Sequence, residues 1–262
     1  MASPARARRV PRRRPPVKHD DRLSVVDHLG ELRSRLFVSL AAFGVAFAFA
    51  GWQNERILEI VNHPLPKKLP EPITFGVTEA FTTTLTNSAY AAILIALPVI
   101  LYELYAFVLP AFSPEERRVA TPMLLLVPFL FVGGVAFCYF VVLPPAIKFL
   151  LNFNSDQFNT QVRAKDYYSF VTLTMAAMGI GFQLPVGIVI AVRAGLTSPQ
   201  KLRKNRRYAF LACAVVAALL PTIDPVTMLL ETLPLYLLFE FSILLASFVG
   251  APRPAEGSGD AG

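Results

Sequence analysis

The sequence predicts an all-α polytopic membrane protein: six transmembrane helices in a curved, concave bundle, with the N- and C-termini both cytoplasmic. Three observations carry this expectation. Of 262 residues, 54% are hydrophobic and only 16% are charged, where soluble domains have about 25% charged residues. The apolar residues gather into runs near the ~20 residues that a helix needs to cross a bilayer, and the mean hydropathy is +0.50. The cations are segregated, with nineteen of 25 Lys and Arg in segments that six spans place on one side.

Residues 1–22 read as a disordered basic tail resting on anionic lipid, residues 23–250 as the membrane domain, and residues 251–262 as a flexible tail. The stretch "ARRVPRRRPP" is not a cleaved twin-arginine leader: it is too long, too far from the first apolar run, and five more spans follow. The spans fall at about 34–53, 83–108, 119–143, 169–192, 207–221 and 226–248. The fifth is short, bracketed by Pro221 and Pro225, so it thins the bilayer or lies low in it. A single re-entrant hairpin in place of spans five and six is the alternative. Lys and Arg set the orientation, because cytoplasmic loops keep the positive charge. Only Arg56, Lys67, Lys68, Lys148, Arg163 and Lys165 fall outside.

Two long outer loops, 54–82 and 144–168, complete the topology. The first opens with "NERILEIVNHPLPKKLP", a short amphipathic helix followed by a proline-stiffened turn. Pro98, Pro122, Pro128, Pro185 and Pro234 interrupt spans, and such kinks are tolerated in membranes where neighbours satisfy the freed carbonyls. Many kinks in a small bundle argue for curvature.

The net charge of +7 lies in the tail and loops, a pattern of membrane topology rather than of nucleic-acid binding. Cys138 and Cys213 sit inside apolar runs and read as small buried hydrophobes. His19, His28 and His63 have no metal-ligand spacing, and there is neither a phosphate-binding glycine loop nor a G-x-S-x-G turn. No metal, no cofactor and no enzymatic activity are expected.

Acidic residues at the membrane boundary are the candidates for recognition. In "HLGELRSRL", residues 28–36, Leu29, Leu32 and Leu36 share a helix face with Val25, opposite Glu31 and Arg35. One reading is an interfacial helix with an i,i+4 pair worth about 0.3–0.5 kcal/mol. The other is a carboxylate presented to a cationic ligand. In "FVLPAFSPEERR", Ser113-Pro114-Glu115-Glu116 is a helix start with a capping box, which by itself explains Glu116. Yet Glu116 stands at the same membrane level as Glu31. Two such acids suit paired guanidinium groups, whose planar bidentate geometry Lys does not copy. Within the spans, Glu103, Gln183, Glu231 and Glu240 are polar, and intramembrane polar residues are functional candidates. Glu103 and Glu240 lie near the inner surface, where reaching for water is an alternative. Glu231 and Glu240 are nine residues, about 900° of helix, apart and point to opposite faces.

Together "HLGELRSRL", "LPVILYELYAFVLPAFSPEERR", "AFCYFVVLPPAIKFLL", "GIGFQLPV" and "LTSPQKLRKNRR" resemble the TatC family, over about Ser24 to Gly250. The resemblance implies a glove-shaped six-span bundle in the cytoplasmic membrane. It implies a receptor for twin-arginine signal peptides of folded precursors, and the core of a translocase driven by the proton-motive force without ATP. TatA and TatB single-span subunits, self-association and the lipid bilayer are the implied partners; nucleic acid is not. The signal-peptide carboxylates carry over to Glu31 and Glu116, with Arg33, Arg35 and Phe107 in the same signature. Pro64 matches the first periplasmic loop and Asp224 the last. Gln183 stands where the family commonly has Glu, which leaves a hydrogen-bonding role intact. With this context Glu31 is a recognition carboxylate. Glu231, toward the outer end of span six, is expected to mark a partner-helix contact with Met228. The rival placement has Glu231 facing inward and satisfied within the bundle. A small-solute permease using the intramembrane polar residues is the alternative function, though it would want an internal repeat and broken helices meeting at midplane.

Overall fold

In a computed structural model, residues 25–66, 72–111, 114–153, 155, 157, 161–219 and 224–249 are described. The two tails therefore lie outside the described residues. The order is α1 (Val25–Trp52), α2 (Asn54–Asn62), α3 (Glu79–Val108), a 3₁₀ turn (Leu109–Ala111), α4 (Pro114–Phe137), a π turn (Cys138–Val142), α5 (Leu143–Asn152), α6 (Ala164–Gly181), α7 (Leu184–Arg193), α8 (Pro199–Lys204), α9 (Arg206–Ala218) and α10 (Pro225–Val249). Five stretches are long and apolar enough to cross a membrane: His28–Trp52, Glu79–Val108, Thr121–Asn152, Ala164–Arg193 and Pro225–Phe248. The short fifth run forms α9, thirteen residues, or roughly 20 Å of helix.

Helix α1 packs chiefly on α3, through an alanine seam of Ala46, Ala50, Ala91, Ala92 and Ala96. Its other face leaves Leu36, Leu40 and Val45 exposed, as lipid-facing residues are. Helices α3, α4 and α6 pack against one another, while α7 and α9 both lean on α10. One core gathers Leu101, Val127, Phe131, Val186, Val189 and Ala246 from α3, α4, α7 and α10. A second joins the π turn, α5 and α6 beneath α2. Cys138 and Cys213 are buried free thiols within it, as their apolar setting predicts.

Prolines shape the spans in a way that differs from simple kinks. The third run does not end at residue 143 but continues as helix to Asn152. Pro144 and Pro145 lack N–H groups, so the preceding turn widens and the Leu143 N–H donates to the carbonyl of Cys138. The fourth run is broken at Phe182–Gln183, and Pro185 opens the new helix α7 instead of kinking an old one. Pro98, Pro122, Pro128 and Pro234 stay inside continuous helices. An apolar cleft of about 340 Å³, between α3, α4 and α6 under α2, opens beside Pro98 and Phe131.

Glycine sets the closest approach. A Cβ on Gly134 of α4 would lie 2.9 Å from the Cα of Gly179 on α6 and 2.8 Å from Cγ of Phe182. Only a pair of hydrogens lets the two backbones meet there.

At the end of the bundle away from the start of α1, the two long loops are tied together. Ile73 and Arg163 form an isolated parallel bridge, with the Ile73 N–H on the carbonyl of Val162 (2.8 Å) and the Ala164 N–H on that of Ile73 (2.9 Å). Glu79 joins them: one oxygen accepts from Arg163 Nε at 2.7 Å and the other from the Phe75 and Gly76 N–H groups. Tyr139 and Tyr167 donate their hydroxyls to the last carbonyls of α2, at Ile60 and Val61. The short helix expected after the first span is thus present and pinned.

Candidate functional site: a carboxylate-bound guanidinium at one end of the bundle

Because α1 and α3 run antiparallel, the start of α1 meets the end of α3. The Glu31–Arg35 pair expected from the i,i+4 spacing is present, with Arg35 Nε and Nη2 donating to Oε1 of Glu31 at 3.1 and 2.6 Å. The same guanidinium reaches across the seam, and Nη1 donates to Oε2 of Glu103 at 2.8 Å. All three groups are half-buried, their side chains 27, 25 and 17% exposed for Glu31, Arg35 and Glu103. His28 Nδ1 stands 3.8 Å from the second oxygen of Glu31, and its ring stacks on Phe107 at 4.3 Å. Counting His28 as neutral, the cluster carries two negative charges and one positive. Charge-assisted hydrogen bonds of this kind are about twice as strong as neutral ones.

Of the sequence-predicted residues, Glu31, Arg35 and Phe107 come together here, joined by Glu103. Arg33 does not: it is exposed, and its guanidinium lies 5.6 Å over the ring of Phe37. Glu116 falls in the first turn of α4, which begins at Pro114 as the helix-start motif predicts, but its side chain lies outside the described residues. The signal for Glu103 was its charge within a span. Its partner became visible only when α1 and α3 were placed side by side.

The remaining polar candidates lie elsewhere. Gln183 is buried at the α6–α7 break, where its Nε2 donates to the carbonyls of Val127 (3.2 Å) and Gly179 (3.4 Å). That hydrogen-bonding role needs no negative charge. Glu240 accepts from Arg206 Nη2 at 2.7 Å and from the Tyr236 hydroxyl at 2.9 Å, which latches α9 to α10. Asp224 caps α10, its Oδ1 accepting from the Thr227 N–H at 2.7 Å. Pro64 follows the end of α2, in the loop that leads to the bridge at Ile73.

The expected partner contact at Glu231 requires correction. Glu231 and Glu240 do face apart, but Glu231 is 0% exposed within this chain and lies near Cys138 of the π turn. Its side of α10 faces the bundle, so the carboxyl offers no surface to a partner helix. Met228 is half-buried. Helical spacing gave the angle between the two acids, and tertiary packing chose which one turned inward.

Five membrane-length stretches, with no strand longer than a single bridge among the described residues, define a multi-pass all-helical membrane protein. Residues 27–234 match the family described as Sec-independent protein translocase protein (TatC). The chain belongs to the TatC family. It is 36% identical to the Sec-independent protein translocase protein TatC of Desulforapulum autotrophicum, over 91% of this chain and 90% of that protein. It is likewise 36% identical to that of Escherichia coli K12, over 90% and 93%. Among solved structures it resembles the crystal structure of the twin-arginine translocase receptor TatC in DDM, with a TM-score of 0.75 at 36% identity. That match covers 84% of this chain and 99% of the other. The chain is accordingly a translocase protein of protein transport.

Proposed function

We propose that this protein is the receptor for twin-arginine signal peptides and the core subunit of a translocase that exports folded proteins across the cytoplasmic membrane, driven by the proton-motive force. The observation that supports this reading is the half-buried Glu31–Arg35–Glu103 cluster. It already holds one guanidinium between two carboxylates, the geometry that distinguishes Arg from Lys. Glu31 and Glu116 are the recognition carboxylates, with Arg35 and Phe107 beside Glu31. The second oxygen of Glu31 has His28 Nδ1 at 3.8 Å, so an incoming fork that spans both oxygens can reach this one and must compete with Arg35 for the other.

In this reading α9 is a sixth, short crossing, an even number of crossings puts both termini on one side, and the nineteen cations there make that side the cytoplasmic one. TatA and TatB single-span subunits and further copies of this chain complete the assembly.

The test is capture of a twin-arginine precursor beside its Lys-Lys variant, by crosslinking in membranes. The Arg-Arg precursor should crosslink and the Lys-Lys variant should not. Glu31→Ala together with Glu116→Ala should abolish the crosslink while the protein stays inserted. Crosslinking at the parental level in the double variant, or equal capture of both precursors, defeats the receptor reading. Equal indifference to both would favour a permease.

A further inference from the structure

The carboxylate assigned to signal recognition is not vacant: Arg35 of the same helix donates twice to Oε1 of Glu31. A receptor in this state binds a foreign guanidinium by exchange, since the new group must take over an oxygen that an internal guanidinium holds. At Glu31 alone such an exchange is close to balanced, because like replaces like. The balance then turns on what becomes of Arg35. Its side chain is only 25% exposed, and a half-buried cation stripped of its partner is costly. Glu103 removes that difficulty. It comes from a different helix, it is the less exposed of the two acids at 17%, and it holds Nη1, the one guanidinium nitrogen that Glu31 does not use.

We infer that Glu103 is a positioning residue for arginine recognition: it retains Arg35 through Nη1 while an incoming guanidinium displaces Arg35 from Glu31. The inference rests on the receptor reading above and adds a residue that acts through Arg35 and does not touch the ligand. It also accounts for a preference for guanidinium. The displaced guanidinium frees Oε1 beside the second oxygen near His28, an acceptor pair that a planar fork spans and a compact ammonium does not.

The test is a double-mutant cycle on the full chain in lipid nanodiscs, with a fluorescent twin-arginine signal peptide and its Lys-Lys counterpart as probes. Glu103→Gln keeps an acceptor for Nη1 and removes the charge. It is expected to raise the Kd for the Arg-Arg peptide about tenfold, the scale of one charge-assisted hydrogen bond. In an Arg35→Gln background the same substitution should change Kd by less than about twofold, because the group through which Glu103 acts is gone. Glu103→Asp keeps the charge and should recover most of the affinity. An equal rise in both backgrounds overturns the inference by making Glu103 a direct ligand contact. An unchanged Kd in the parental background, or an Asp variant as weak as the Gln variant, overturns it as well. If the parental chain fails to distinguish Arg-Arg from Lys-Lys, the receptor reading itself falls. Discrimination that survives in the parent and is untouched in Glu103→Gln sinks this inference alone.

Discussion

Adjacent glycines in α4, Gly133 and Gly134, should respond to alanine in opposite directions. A Cβ on Gly134 would meet Phe182 Cγ at 2.8 Å, Gly179 Cα at 2.9 Å and the Met178 carbonyl oxygen at 2.9 Å. The Gly179 contact falls roughly 0.6 Å inside the ~3.5 Å at which carbon atoms ordinarily touch. Two of the three neighbours are backbone atoms of α6, so no rotamer change relieves the clash and the α4–α6 seam must open. That seam includes Val127, Phe131 and Met178, each no more than 1% exposed. Overpacking of this kind costs about 1–3 kcal/mol, and the gain in helix propensity from Gly to Ala returns about 1 kcal/mol. With backbone as the obstacle the cost falls in the upper part of that range, about 2–3 kcal/mol, so Gly134→Ala should lose roughly 1–2 kcal/mol net. Around Gly133 nothing lies within 4 Å of the added atom, so Gly133→Ala keeps the ~1 kcal/mol gain without the clash. Thermal unfolding of the purified chain in detergent, followed by size-exclusion recovery, should place Gly134→Ala below the parent and Gly133→Ala at or above it. A Gly134→Ala protein as stable as the parent would refute the packing argument, as would both variants moving together.

In intact cells, Val77→Cys, at a fully exposed site beside the tied outer loops, should react with a membrane-impermeant thiol reagent added outside, and Arg203→Cys should not; labelling at 203 would reverse the orientation. The native Cys138 and Cys213 are buried and supply the low background. Glu231→Ala empties a fully buried site and should cost the isolated chain about 2 kcal/mol or more, measured by the same thermal assay without partners. A variant of parental stability that loses only partner co-purification would return Glu231 to the outer surface.

Much of the protein was legible from residue order. Apolar runs of bilayer length located the membrane helices, because a chain in hydrocarbon must satisfy its own backbone and helices do so locally. The Ser-Pro-Glu-Glu motif gave the start of α4 at Pro114, and helical spacing gave the Glu31–Arg35 pair and the opposed faces of Glu231 and Glu240. These are all consequences of a 3.6-residue period acting within one segment. Motifs in their family order carried the resemblance to TatC, the family to which the chain belongs.

What the sequence left open depended on which helices become neighbours. The second carboxylate on Arg35 comes from Glu103, 68 positions along the chain, and no local period relates them. The bridge from Arg163 to Glu79 spans 84 positions and went unforeseen for the same reason. The inward turn of Glu231 and the contact of Gly134 with Gly179 were likewise decided by packing. Short-range hydrogen bonding and hydrophobicity fix each helix and its faces. Only the antiparallel seating of α1 on α3, and of α4 on α6, decides which charges share a site and where a single hydrogen is all that fits.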